Sequence, residues 1–336
     1  MTDPILNALS VDVEDYYQVS AFERHVPRER WEWYPSRVVT NTQRLLELLD
    51  RHRVKATFFV LGWTARAYPD LVREIDAAGH ELGSHSYWHR LVYEQDPEEF
   101  RADLIDSRSA IEDAVGRRVV MYRAPSFSIR GDSLWALDIL AEEGFEIDSS
   151  IFPIHHDRYG LPDAEPKIHR IQLEGGALWE FPPPVARVGR WNVPVTGGGY
   201  FRLYPLSLTC RALGYMNVRQ RRPFVFYCHP WEIDPEQPRI HGVGRRSRFR
   251  HYVNLRSTYR KFEQLLCHFR FGTLTDVIRT QTDTAPTITL PNNHPYVEDV
   301  TFHSPGSAKR HPGYRNRAQS DTRNGLHKPM AGTSFV

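Results

Sequence analysis

The sequence predicts an α/β fold in which a parallel sheet is covered by helices, either open and doubly wound or closed into a barrel. Over the first half of the chain, β-rich runs alternate with amphipathic segments, and glycines fall where helix C-caps belong. In addition, four polar residues, Asp12, His85, Arg123 and His229, each fall at or just past the end of a predicted strand. In parallel sheets and barrels those ends share one face, and active sites are built there.

The elements follow from period and punctuation. "NALSVDV" alternates and ends in carboxylates, a strand, and "SRVVTNTQRLLELLDRHR" places Val38, Thr42, Leu45, Leu46 and Leu49 at helical spacing. "KATFFVLG" is a strand closed by Gly62, and "YPDLVREIDAAG" a helix between Pro69 and Gly79. "HELGSHS" is a short strand, "DPEEFRADLIDSRSAIEDAVG" a helix ending at Gly116, and "RVVMYRAPS" a strand broken by Pro125. "DSLWALDILAEEG" and "FEIDSSI" give the next helix and strand. From about 155 to 215 the rhythm fails, and "IFPIHHDRYGLPDAEP", "FPPPVARVGR" and "VTGGGYFRLYP" predict long loops and short hairpins. "RPFVFYCHPWE" restores a strand ending at His229, and "STYRKFEQLLCHF" a late helix. Residues 1–280 thus form one domain, with an extension from about 231, and the polar, aperiodic stretch 281–336 is expected to be a disordered tail.

Composition narrows the class. At 336 residues, 40% hydrophobic and 25% charged, the chain reads as globular and soluble, and no apolar run approaches a membrane span. "MTDPILNALSVDVEDYY" lacks a basic region followed by an apolar one, so no secretory signal is expected and a cytoplasmic location is the default. Cys210, Cys228 and Cys267 are odd in number and widely spaced, which suits reduced, buried thiols better than disulfides. A net charge of +2 argues against a nucleic-acid-coating protein.

The segment "GHELGSHSYWHR" sets His85 and His89 four residues apart. Among 16 histidines, about one such pair is expected by chance, so its context must decide. One helical turn apart, the two would face the same side, with Glu14 or Asp15 completing the set. Two imidazoles and a carboxylate leave positions open on a divalent metal, the pattern of a catalytic site. Asp12 can then take a proton from activated water, Arg123 can hold it ionised, and His229 can protonate a leaving group. Singly, each residue has an ordinary structural explanation. Their coincidence at strand ends points to a metal-assisted hydrolase.

In order, "SVDVED", "ATFFVLG", "AGHELGSHSYWH", "YRAPSFS", "GFEIDSS" and "FYCHP" resemble the NodB-type polysaccharide deacetylases, carbohydrate esterase family four, over about residues 8–230. The phrases "SVDVEDYYQVSAFE", "RAPSFSI" and "HPWEID" resemble the subgroup associated with exosortase and exopolysaccharide loci. The resemblance implies a distorted seven-stranded β/α barrel with a loop-rich insertion and a C-terminal helical extension. It also implies a divalent metal, zinc first and cobalt, nickel or manganese as alternatives, and removal of N-acetyl groups from an N-acetylhexosamine polymer or its lipid-linked precursor.

By that resemblance Asp12 is the base, His85 and His89 are metal ligands, Arg123 positions the base, and His229 is the general acid. Asp148 falls near the carboxylate that orients the acid, and the backbone N–H of Ser126 serves the oxyanion. The family's common form has two adjacent aspartates, whereas Asp12 is followed by Val13, Glu14 and Asp15, which leaves Glu14 and Asp15 as alternative ligands.

Trp31, Trp33 and Tyr34 in "RWEWYPS", with Trp88, offer flat faces for sugar rings, and a hydrophobic lid is the alternative for the first three. From Gly242 to Lys261 there are seven Arg/Lys and no acid, either ordinary surface or a dock for an anionic glycan, a lipid-linked phosphate or the inner membrane face. "GGG" at 197–199 reads as a flexible turn. Rival readings are a same-barrel amidohydrolase acting on a small C–N substrate and a silent glycan-binding barrel.

Overall fold

A computed structural model describes residues 4–156, 159–189 and 191–290. The chain opens with β1 (Leu6–Val13), α1 (Val38–Arg51) and β2 (Thr57–Val60). It continues with α2 (Gly62–Ala67), α3 (Pro69–Ala77), β3 (Glu81–Ser84), α4 (Pro97–Val115), β4 (Met121–Tyr122), α5 (Trp135–Glu142) and β5 (Ile147–Asp148). Apart from α2, a short helix that the sequence did not predict, and Leu6 at the start of β1, each lies within the segment whose period announced it. Helix α4 is the best delimited: Asp96 and Glu99 form a reciprocal capping box, Pro97 sits at the first helical position, and Gly116 ends it at φ 69°. Such a cap contributes about 1 kcal/mol.

The region expected to hold loops and hairpins contains both, and two helices besides. A hairpin of β6 (His169–Leu173) and β7 (Gly176–Glu180) joins the main sheet, and β8 (Val185–Val188) pairs with β9 (Trp191–Pro194) apart from it. Helices α6 (Gly198–Leu203) and α7 (Leu206–Val218) follow, then β10 (Val225–Cys228). Helix α7 carries no clean apolar stripe, because Leu208, Tyr215 and Val218 are exposed among its buried residues. Beyond β10 come α8 (Arg245–Tyr252), α9 (Leu255–His268), β11 (Arg270–Gly272), α10 (Leu274–Arg279) and β12 (Thr287–Thr289). Residues 281–290, assigned by sequence to the tail, thus include a strand that pairs with β6, and the rest of that expected tail lies outside the described residues. Of the cysteines only Cys228 is buried, and Cys267 is exposed, contrary to the expectation of three buried thiols.

The strand order is β10–β1–β2–β3–β4–β5–β7–β6–β12, with β11 also on β1. Every neighbouring pair from β10 to β7 is parallel. Among the described residues the sheet holds ten strands against the seven expected: the six strands β1–β5 and β10, joined by the β6–β7 hairpin, β11 and β12. Among the described residues no pairing joins β10 to β12, so the hydrogen-bonded path is open. It is a mixed α/β fold with a mostly parallel sheet. The register sets Val13, Val60, Ser84, Tyr122, Asp148 and Glu180 in one line across it. The residues that follow those strands therefore emerge on one edge.

Candidate active site

Strand β1 separates two environments by its period of two. Leu9, Val11 and Val13 join the large apolar cluster beneath the helices, while Ser10 and Asp12 point to the other face. There Arg123, fully buried just past β4, donates from Nη1 to Asp12 Oδ1 at 2.8 Å and to Ser10 Oγ at 2.7 Å. Its Nε donates to the Ser149 carbonyl at 3.1 Å and its Nη2 to Ser149 Oγ at 2.7 Å. The Phe59 ring lies 4.3 Å from the guanidinium, a cation–π contact in a dry site. Gly83 makes room for that ring, since a Cβ there would come within 2.6 Å of it.

The two histidines do not lie on a helix. After β3 the chain enters a loop with Ser86 at φ 68° and His89 at φ 54°, and buried Asp103 of α4 fixes it by accepting from the backbone N–H groups of Tyr87 and Trp88. The correction leaves the pairing intact, with ring centroids 5.3 Å apart. His85 Nδ1 is 2.8 Å from the carbonyl oxygen of Arg123, which can only accept, so Nδ1 carries the proton and Nε2 is presented to the site. Burial brings the His85 imidazole down to about 4, with Asp12 opposing, and so keeps it neutral as a ligand must be.

Glu14 completes the cluster. One ligand atom from each of Glu14, His85 and His89 lies within 4.8 Å of the others, and all three residues are buried. Glu14 Oε1 accepts from Trp231 Nε1 at 3.0 Å. Glu14 Oε2 is a buried oxygen with no aligned hydrogen-bond donor, although His89 Nε2 is 2.7 Å away. Burial by itself would raise the Glu14 carboxyl, but His89, His229 and His85 outweigh it and hold it well below the usual carboxylate range. Converging lone pairs on two imidazoles and an under-satisfied carboxylate oxygen fit a divalent cation.

Asp15 is excluded from this set by its own bonds. Its Oδ2 accepts from Ser36 Oγ and from the N–H groups of Arg37 and Val38 at the start of α1, and its Oδ1 accepts from Tyr16 N. It is a helix-terminus anchor.

His229 leaves β10 with Nε2 3.8 Å from Asp12 Oδ2 and 3.7 Å from Glu14 Oε1. Burial opposes its charge, but Glu14, Glu232 and Asp12 together raise the imidazole to about 9. Asp148 does not reach it. That carboxyl accepts from Ser150 Oγ and pairs with Glu180, its register partner on β7. Burial raises Asp148 to about 6 and, with Asp148 beside it, pushes Glu180 well above the carboxylate range. The group at His229 Nδ1 is Glu232 Oε2, at 3.2 Å, and Glu232 Oε1 accepts from Arg202 Nε at 2.7 Å. Sequence reasoning missed Glu232, Arg202, Trp231 and Ser149. "HPWE" carries the signal for Glu232, three residues past His229 in a 3-10 turn, whereas Arg202 has no local signal.

Ser126 has φ 53°, and its hydroxyl is 3.0 Å from Ser20 Oγ. Of the aromatic residues, Trp33 is 74% exposed and Trp88 36%. Trp31 is 2% exposed, edge-on to Trp63 and wedged near Tyr17, and Tyr34 stacks on Tyr17. Trp31 and Tyr34 are thus packing residues rather than open sugar platforms.

Residues 32–144 match the family model described as polysaccharide deacetylase, and residues 149–279 match a domain of unknown function, DUF3473. Residues 32–144 are thus similar to a polysaccharide deacetylase domain. A peptidoglycan-N-acetylglucosamine deacetylase of Bacillus cereus is 33% identical over 98 residues, 29% of this chain and 36% of that protein. A chitooligosaccharide deacetylase of Rhizobium leguminosarum bv. trifolii is 32% identical over 114 residues, 34% of this chain and 49% of the relative. The alignments thus span less than half the length of these relatives. A Mycobacterium smegmatis crystal structure assigned as a polysaccharide deacetylase shares the fold, with a TM-score of 0.57 at 19% identity over 87% of this chain and 96% of that one. The matched deacetylase segment carries His85, His89 and Arg123, while Ser149, Arg202, His229 and Glu232 lie in the DUF3473 segment. One site draws on both.

Proposed function

We propose that the protein is a metal-dependent N-deacetylase of N-acetylhexosamine residues in an exopolysaccharide or its lipid-linked precursor. The observation that carries this reading is the buried Glu14, His85 and His89 triad beside the Asp12–Arg123 pair and His229. The polymer class is supported by the named activities of the relatives and by the motif phrases around Asp12, Ser126 and His229.

A divalent cation held by Glu14, His85 and His89 would supply Lewis acidity toward water and the acetyl carbonyl. Asp12, held by Arg123 through Nη1, is placed to accept the proton of the attacking water. The N–H of Ser126, in its left-handed turn, is the donor assigned to the developing oxyanion. The C–N bond then breaks, its electron pair goes to nitrogen, and His229 Nε2 gives that nitrogen its proton. Acetate and a free amine leave. Exposed Trp33 and Trp88 are the faces offered to sugar rings. Among the described residues no helix is long and apolar enough to cross a membrane. The basic stretch from Gly242 to Lys261 supports contact with an anionic glycan, a lipid-linked phosphate or the inner membrane face.

The test is acetate release from acetylated glucosamine oligomers by purified protein, before and after chelation, with zinc or cobalt added back, beside a His85→Ala/His89→Ala control. Chelator-sensitive release absent from the control is expected. Metal binding without release from any acetylated sugar, but with hydrolysis of small amides, would replace the glycan substrate with a small C–N compound.

A further inference from the structure

His229 must present Nε2 to the leaving nitrogen, which requires a partner that fixes the ring through Nδ1. The carboxylate expected for this work, Asp148, is committed elsewhere. It accepts from Ser150 Oγ and lies opposite Glu180, its register partner on β7, whose Oε1 accepts from Ile151 N, and both carboxyls are fully buried there. Its neighbour Ser149 serves Arg123 instead, through both the carbonyl and the hydroxyl.

Around Nδ1 the structure builds a different assembly. Glu232 Oε2 lies 3.2 Å from His229 Nδ1 and also accepts from His229 N at 3.1 Å, so one oxygen grips ring and backbone together. Arg202 Nε donates to the other oxygen at 2.7 Å, and Arg202 Nη1 donates to the carbonyls of His251 and Val253 at 2.6 and 3.2 Å. Arg202 is 3% and Glu232 2% exposed, so neither is a surface ion pair whose contribution solvent would erase. The same turn contributes Trp231, stacked on His229 at 5.2 Å and on His251 at 4.2 Å, with its indole N–H on Glu14. A buried arginine, a carboxylate and an imidazole in line constitute a support for the proton donor.

We infer that Arg202 and Glu232 are positioning residues for His229: Glu232 accepts the Nδ1 proton and aims Nε2 at the site, and Arg202 locks Glu232 in place. The carboxylate that orients the proton donor thus comes from the turn after β10 and not from β5. This inference rests on the deacetylase reading for its chemistry, while its geometry stands on the hydrogen bonds around Glu232 alone. In the step it serves, the amide C–N bond breaks, nitrogen keeps the electron pair, and the proton on His229 Nε2 moves to that nitrogen.

An amine leaves only when protonated, whereas a nitrophenolate leaves without help. Wild type, Glu232→Gln, Glu232→Asp, Arg202→Met and Asp148→Asn are therefore compared on an acetylated glucosamine oligomer and on 4-nitrophenyl acetate, with metal content measured for each. For Glu232→Gln the amide rate should fall about 100-fold or more, the reach of general acid catalysis, while the ester rate and metal content stay near wild type. Arg202→Met should fall the same way to a smaller extent, Glu232→Asp should recover part of the loss, and Asp148→Asn should change both substrates in proportion. A proportional loss in Glu232→Gln, or an amide-selective loss in Asp148→Asn, overturns the inference. If wild type hydrolyses neither substrate, the deacetylase reading fails and the geometry is decided by nitrogen NMR of the imidazoles. A His229 Nδ1 proton signature lost in Glu232→Gln and kept in Asp148→Asn supports the assignment, and one unchanged in Glu232→Gln refutes it.

Discussion

Arg123→Met removes the cation from a site that has no water to replace it. The guanidinium is fully buried and makes four hydrogen bonds, to Asp12, Ser10 and twice to Ser149. Its loss strands the Asp12 carboxylate, which is 2% exposed and loses its ion-pair partner at 2.8 Å. Breaking a buried ion pair from one side costs about 3–5 kcal/mol, and most of that is the uncompensated charge. For a domain of this size the melting midpoint should fall by roughly 5–9 °C. The informative comparison is the double variant Arg123→Met/Asp12→Asn, measured by urea and thermal unfolding beside both single variants. With both charges gone the penalty is relieved, and the cycle should return a coupling of about 2 kcal/mol or more. Additive effects would show that Asp12 and Arg123 are not energetically linked and would undo the assignment of Arg123 as the group that holds the base.

Asp15→Ala should cost about 1–2 kcal/mol, as loss of a helix-terminus acceptor does, and leave metal content unchanged, which metal analysis and unfolding curves check together. His80, buried with Nδ1 accepting from Ala56 N, is held down to about 4, first by desolvation and then by Lys55. The folded chain therefore binds fewer protons than the unfolded one between pH 6.5 and about 4, so stability falls as pH drops through that window. Allowing for solvent screening the loss is on the order of 2 kcal/mol, and His80→Leu should flatten that part of the pH–stability curve. Trp33→Ala should raise KM for oligomers about 2- to 10-fold with kcat kept, the range of a single ring contact, if Trp33 meets sugar. Trp31→Ala should instead destabilise the fold by about 3–5 kcal/mol, read as a drop in the unfolding midpoint.

What the sequence made legible depended on how local the cause was. Helix α4 could be read because Asp96, Pro97, Glu99 and Gly116 write its ends in the chain itself. Strand ends could be read because Asp12, Arg123 and His229 interrupt apolar runs, and parallel register then brings them together. The choice between Glu14 and Asp15 was not legible, since it depends on Ser36, Arg37 and Val38 capturing one carboxylate and Trp231 the other. Asp148 was misplaced because its register partner is Glu180, on a strand that arrives through the loop-rich segment. Trp31 and Trp33 read alike in "RWEWYPS", and only packing on Trp63 separates a buried ring from an exposed one. Helix α7 escaped because its exposed Leu208, Tyr215 and Val218 blur the period that burial would have sharpened.

The central claim is that Glu14, His85 and His89 hold a catalytic cation while Asp12 does the proton chemistry beside it. Metal content and acetate release from an acetylated glucosamine oligomer, measured together on wild type and Asp12→Asn, test it most directly. The account predicts stoichiometric divalent metal in both proteins and release at least about 100-fold slower in the variant. Comparable release from the two proteins, or a wild type that releases acetate while holding no metal, would contradict it.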